Sequence, residues 1–367
     1  PFGAGLRRVV VVLLDALGYL PLRQMMQAEP DGLWSRLARQ GTLLPMTSIS
    51  PSTTNAALMT LMTGHEPVSH GILGYELWLR EYGVLAEMLA LKPVYGAGKE
   101  TLMDWGLVPE QMVPVPGIGA LFASEGVRTT AMVPAPFTRG ALTRMLYRGF
   151  EQMYGFTSVD GLWALTRYVF GQDTAERSLY FLYWGAIDKA AHEHGSAGGH
   201  WEAQYRAVTQ ACEKQFLARL TAEERRGTLL VMIADHGFVD TPIDLAYDTE
   251  GDSPLRPQLI IPFSGESRAA YLHAYGPKSE ETLTSLQETL GPGFLVRRTE
   301  DALHAGLWGS RSPAPESLAR LGNYVAIACG QHYLDRKNLR NKLRGRHGGL
   351  SAAEMLVPWL AVRLDAL

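Results

Sequence analysis

The chain has 367 residues, 46% of them hydrophobic and 19% charged, and a formal net charge of −3. Those proportions exclude intrinsic disorder, collagen-like repeats and a small disulfide scaffold. The 37 acids and 34 bases nearly cancel and no basic block occurs, so no nucleic-acid or anionic-membrane surface is evident.

The longest apolar run, Val9 to Leu14, is closed by Asp15 and is too short for a membrane span or a signal-peptide core. A cytoplasmic location is the expectation, and a start at Pro1 leaves room for an upstream leader. Cys212 and Cys329 form no CxxC pair. A disulfide between them stays open, but one bridge does not hold up a fold of this size.

In chain order, RVVVVLLD (8–15) reads as a buried strand, and Leu33–Arg39 and Ala56–Met62 follow as helical patterns. RTTAMVP (128–134) is the next strand, then a helix over Gly140–Met153 and a strand over SLYFLYWGAID (178–188). A helix over Trp201–Leu220 precedes two more strands, GTLLVMIAD (227–235) and QLIIPF (258–263). None of these strands alternates apolar with polar, as expected when both sheet faces are covered. The expectation is an α/β fold with a doubly wound, mostly parallel sheet. Residues 265–329 break the rhythm with strand RAAYLHAY, helix SEETLTSLQETL, a Gly-Pro-Gly turn, strand FLVRR, helix TEDALHAGL and strand NYVAIA. This reads as a small inserted α+β cap module, with 1–264 and 330–367 forming the catalytic core.

Three predicted strands lead into aspartates: Asp15, Asp188, and Asp235 followed by His236. Ligands of open α/β sheets bind outside the carboxyl ends of the strands. Acids gathered there repel one another unless cations sit between them. Any one of them alone is commonly a helix cap. His192 lies one helical turn after Asp188, which brings both side chains to one face. Gly237 permits a break after His236, and His347 sits in the glycine-flanked GRHGGL turn. Carboxylate plus imidazole, without thiolate, suits zinc first and manganese or iron second. Six such ligands are enough for two divalent ions with open positions.

A nucleophile is supplied by SPSTTNAALMTLMTGHEPVSHG, where Thr54 opens a helix closed by Gly64. A hydroxyl at that position faces the positive helix end, which suits a phosphoryl group. The plainer alternative is that Thr53 or Thr54 only caps the helix.

The blocks VVVVLLDALGY, SPSTTNAALMTLMTGHEPVSHGI, YWGAIDKAAHEHG, IADHG and GRHGGLSAAEMLVP, in that order, resemble the type I phosphodiesterase/nucleotide pyrophosphatase branch of the alkaline phosphatase superfamily. The resemblance spans nearly the whole chain and implies an alkaline phosphatase-like fold. It implies a two-metal site, with Asp15, Asp235 and His236 holding the ion that contacts Thr54, and Asp188, His192 and His347 holding the other. It places the nucleophile at Thr54, leaves His70 structural and puts His194 outside the ligand set. The implied chemistry is an alkoxide at Thr54, a covalent phospho-threonine and its hydrolysis. The implied partner is a small-molecule phosphate ester.

The sequence departs from the family after the nucleophile, where Asn55, Ala56 and Ala57 replace the usual aromatic and Pro-Asn pair. That puts nucleotide preference in doubt and leaves Asn55 and Tyr75 as candidate substrate-binding residues. Tyr75 stands near the position of the family's oxyanion-binding Asn, either as a donor or as a packed aromatic. Tyr19 and Trp184 are further candidates for the pocket wall. GAGKET (96–101) fails as a phosphate loop, and no G-x-S-x-G occurs. Neither cysteine sits in a sulfatase setting, and the metal-dependent phosphoglycerate mutase normally uses Ser and a much larger insertion. Monoesterases of this superfamily usually add a third metal or an Arg clamp, so a phosphodiesterase is expected. A phosphomonoesterase, a phosphonate hydrolase and an inactive binding protein on the same scaffold are the alternatives.

Overall fold

Along the strand Arg8–Leu14, successive valines and leucines point to opposite faces of a sheet, and both faces are buried. Val10, Val12 and Leu14 join one core with Trp34, Trp163, Leu182 and Met232. Leu13 joins a second core with Phe181, Val231 and Ile233. Each fully buried leucine or valine contributes roughly 1.5–3 kcal/mol. This is why the run lacks alternation.

The computed structural model describes residues 3, 5–96, 98–276, 279–336 and 343–366. Ala97 of the GAGKET segment and part of the 330–367 segment lie outside the described residues. The central sheet has seven strands, in the spatial order Thr42–Thr47, Leu356–Arg363, Thr228–Ile233, Arg8–Leu14, Arg177–Trp184, Val127–Pro134, Gln152–Phe156. Only Leu356–Arg363 runs against the others, pairing antiparallel with both neighbours. Leu14 stands opposite Trp184 and Leu13 opposite Ile233, so three strands end at one level and deliver their following residues to the same edge. The sheet is mixed and mostly parallel, as the sequence predicts.

Some predicted elements differ. The strand written over 178–188 ends at Trp184, and Asp188 sits in the first turn of helix Ala186–His194 rather than at a strand end. The helix predicted over Gly140–Met153 stops at Leu146. Gly149, at φ 80°, lets the chain reverse, and Gln152–Phe156 becomes an edge strand. QLIIPF is not a strand. Pro257 and Pro262 remove backbone donors there, and only Leu259 bridges to Ala274. Cys212 is buried, Cys329 is exposed, and both are free.

Within 265–329 the structure has strand Ala269–Leu272, helix Glu280–Leu290, strand Phe294–Arg298, helix Thr299–His304 and strand Tyr324–Ala328. These strands share a second, antiparallel seven-stranded sheet with Ser264–Gly265, Glu76–Leu79, Val84–Glu87 and Lys92–Pro93. The junction is narrow, a single Gly265–Glu76 pairing. Glu76 and Gly265 of this junction line one cavity with Asp188 and His192, which follow the strand Arg177–Trp184. Among the described residues, no helix is long and apolar enough to cross a membrane.

Candidate active site

Asp15 and Asp235 leave neighbouring strands and are 1% and 2% exposed. Asp15 accepts a hydrogen bond from the Tyr183 hydroxyl, and Asp235 Oδ1 accepts from the backbone N–H of Ala16 at 3.1 Å. Each still has one buried oxygen without a partner: Asp15 Oδ1 and Asp235 Oδ2, together with Asp188 Oδ1. Orphaned carboxylate oxygens in a dry site are costly unless a proton or a cation meets them. Burial, then the charges of Asp235 and Asp188, push Asp15 well above the ordinary carboxylate range. Asp188 is raised by burial against the opposing pull of His192 and His236.

The imidazoles are oriented by backbone. His192 Nδ1 donates to Gly345 O at 2.8 Å, His236 Nδ1 to Gly237 O at 3.0 Å and His347 Nδ1 to Ser52 O at 3.0 Å. With Nδ1 turned to a carbonyl, Nε2 is the ring nitrogen that faces the carboxylates in each case. That arrangement is typical of metal-binding histidines. Burial, then the neighbouring His236 and His192 rings, push His347 well below the usual imidazole value, which keeps it neutral. The His236 and His347 rings stack at 3.7 Å.

His236 Nε2 lies 3.5 Å from Asp15 Oδ1 and 3.6 Å from Asp235 Oδ2. Asp188 Oδ1 lies 3.3 Å from His192 Nε2 and 3.9 Å from His347 Nε2. Two ligand groups result, Asp188–His192–His347 and Asp15–Asp188–His236, and Asp188 belongs to both. The donor set of carboxylate oxygens and imidazole nitrogens fits zinc, manganese or iron. Thr54 Oγ1, at the start of helix Thr54–Thr63, donates to His236 Nε2 at 3.1 Å.

Residues 9–349 match the type I phosphodiesterase / nucleotide pyrophosphatase family. The chain is a member of that family. No curated protein matches it. Murine ectonucleotide pyrophosphatase / phosphodiesterase 5, solved as an inactive variant in complex with AMP, superposes with a TM-score of 0.72 at 15% identity, covering 98% of this chain and 90% of that one. The human form gives 0.69 at 15% identity, with 96% and 87% covered. Phosphonoacetate hydrolase from Sinorhizobium meliloti 1021, in complex with phosphonoformate, gives 0.67 at 16%, with 98% and 94% covered. These likenesses show the shared alkaline phosphatase-like fold.

The remaining candidates separate clearly in this phosphodiesterase-family site. Asn55 is 1% exposed and its amide is used internally, Nδ2 donating to Gly74 O at 2.7 Å and Oδ1 accepting from Ala56 N. It braces the loop before Tyr75 and turns no amide group outward. Tyr75 lines a cavity of about 400 Å³ shared with Asp188, His192 and His347. Burial, then Glu87, push its phenol far up. Tyr19 and Trp184 are not among the residues lining that cavity. His70 is buried between Thr60 and Ile72 and is pushed down to about 3 by burial, so it is a neutral structural residue. His194 stacks on His200 at 3.8 Å, away from both ligand groups.

Sequence reasoning missed Glu266, which lines the same cavity and is 8% exposed. Its Oε1 accepts from Tyr75 N at 2.7 Å. A Cβ at Gly348 would lie 2.7 Å from its Cβ and Cγ, so glycine is needed where the His347 turn passes over it. Burial pushes Glu266 up to about 8, reinforced by Glu76 and Glu354 and opposed by bonds from Thr53 and the Tyr75 backbone. A glutamate raised in the folded state stabilises the fold most below its unfolded value of 4.5, and that contribution fades as pH rises through about 8. Glu266→Gln is therefore expected to gain on the order of several kcal/mol over the parent between pH 5 and pH 9. Urea midpoints across that range test this, and parallel pH curves for the two proteins would refute it.

Proposed function

We propose that this family member is a two-metal phosphoric ester hydrolase that acts on small phosphodiesters with Thr54 as nucleophile. The observation that carries the reading is the Thr54 hydroxyl 3.1 Å from His236 Nε2, beside carboxylates whose inner oxygens have no protein partner. Asp15, Asp235 and His236 would hold one divalent ion, and Asp188, His192 and His347 the other, with zinc the first choice. Such ions, when bound, supply Lewis acidity and lower the pKa of a neighbouring hydroxyl.

Thr54 Oγ1 bonds to phosphorus while the ester bond breaks, and the alcohol oxygen leaves with the electron pair and takes up, by way of solvent, the proton that the Thr54 hydroxyl gives up. Water then cleaves the Thr54 phosphoester and restores the hydroxyl. The positive end of helix Thr54–Thr63 favours the phosphoryl anion there. Residues 265–329, with the sheet they share, act as the cap that closes the cavity over the substrate. Phe263 and Gly265 form part of its wall. The free cysteines suit a cytoplasmic setting.

The test is hydrolysis of bis-p-nitrophenyl phosphate and of p-nitrophenyl phosphate by zinc-loaded and metal-stripped protein. Diester turnover above monoester turnover, lost on stripping and regained on reloading, is expected. A monoester rate well above the diester rate would overturn the preference. Phosphonate cleavage is a second reading, since the fold is shared with a phosphonoacetate hydrolase. Phosphonoacetate belongs in the same screen.

Asp188 faces both ligand groups, so Asp188→Asn is expected to lower occupancy at both sites, whereas Asp235→Asn lowers it at one. Metal analysis after gel filtration decides this. A full metal load on Asp188→Asn would contradict the shared role.

A further inference from the structure

The two loops that carry His236 and His347 meet at one buried residue. Glu354 is 0% exposed, and its carboxylate is gripped by Arg268, also 0% exposed. Arg268 Nε donates to Oε1 at 2.7 Å and Nη2 to Oε2 at 2.9 Å. The guanidinium also donates to His332 O at 2.6 Å and Gly330 O at 2.9 Å. Neither residue lines the cavity.

From that anchor Glu354 reaches both loops. Its Oε1 accepts the backbone N–H of Gly349, two residues past His347, at 2.8 Å. Its backbone carbonyl accepts the N–H of Gly237, the residue after His236, at 2.8 Å. A Cβ at Gly237 would stand 2.0 Å from Ala353 O, so the His236 loop lies flush on the Glu354 segment. Ser52 closes the other side. Its hydroxyl donates to Gly349 O at 2.8 Å and accepts Gly348 N at 3.2 Å, while its carbonyl orients His347. Arg268 belongs to the segment 265–329, so the second sheet sets the registry of ligand loops in the first.

We propose that Arg268 and Glu354 are positioning residues for the metal centre, holding the His236 and His347 loops in mutual register. The proposal rests on the two-metal reading above. A buried pair kept only for stability is replaceable by apolar side chains of similar volume, whereas a register device needs the planar fork and its acceptors.

Zinc affinity measured by competition with a chromophoric chelator tests it, using Arg268→Lys and Gly349→Ala. Arg268→Lys keeps the charge and loses the fork. Gly349→Ala keeps both residues of the pair but sets a methyl 2.9 Å from both Glu354 carboxylate oxygens, which must shift away from the His347 loop. Both zinc equivalents are expected to weaken by about 10- to 100-fold. Wild-type affinity in a folded variant, or a loss confined to one zinc, would overturn the proposal. Should Arg268→Lys fail to fold, Gly349→Ala decides by the same measurement. Absence of zinc or manganese binding by the parent protein would instead overturn the metal reading, and this proposal with it.

Discussion

Thr54→Ala is expected to bind both metal ions normally and to lose on the order of 10⁴-fold or more in kcat. The size of the loss follows from the absence of a substitute. Ser52 is buried and its hydroxyl is committed to Gly349 O and Gly348 N. Thr53 is 2% exposed. Burial keeps both hydroxyls from a phosphoryl group at the helix start, and Ser52 would also have to break its bonds. The metal load should survive because six carboxylate and imidazole ligands remain. Thr54→Ser keeps the hydroxyl and should retain a measurable share of turnover. Retention of more than about a tenth of parental kcat by the alanine variant would remove Thr54 from its role.

Arg268→Met is expected to destabilise the metal-free protein by about 3–5 kcal/mol. Removing the guanidinium leaves the Glu354 carboxylate fully buried without its cation and also deprives His332 O and Gly330 O of donors. Arg268→Met/Glu354→Met removes both charges and should recover much of the loss, because desolvation of the pair offsets most of its mutual attraction. Urea unfolding of the three proteins in chelator gives the comparison. An unchanged midpoint for the single variant would show that Glu354 finds another partner or takes up a proton at little cost.

Much of the architecture is legible in the sequence because the strands are covered on both faces. RVVVVLLD and GTLLVMIAD can satisfy that burial in only one way, and the structure forms strands at Arg8–Leu14 and Thr228–Ile233. The helix predicted through Met153 fails because periodicity is blind to one left-handed glycine, Gly149. The edge strand Thr42–Thr47 carries Pro45 opposite Pro358, which masks the pair from a strand pattern. Within the site, Asp15, Asp188, His192, His236 and His347 are visible through residue type and spacing and fall into the two ligand groups, while Asp235 lies 3.6 Å from His236 outside both. Asn55 is a polar residue beside the proposed nucleophile, yet its amide is consumed by the backbone. Glu266 and Arg268 lie in no motif, since their roles arise from contacts far away in sequence, and Tyr183 stands beside the YWGAIDKAAHEHG block's start but bonds to Asp15 on the neighbouring strand. Glu354 alone left a local trace, the Ser-x-x-Glu spacing with Ser351, whose hydroxyl donates to it at 2.6 Å.

The shared end level of the three central strands has a thermodynamic side. The two ligand groups draw on residues as far apart as 15 and 236 or 188 and 347, so neither is assembled in the open chain. An ion that binds the finished fold and not the open chain stabilises every strand at once, by RT ln(1 + [L]/Kd). At a metal concentration 100 times Kd this is about 2.7 kcal/mol per site. If the proposed ions bind, metal supply would set how much of this chain persists in folded form as well as how fast it turns over.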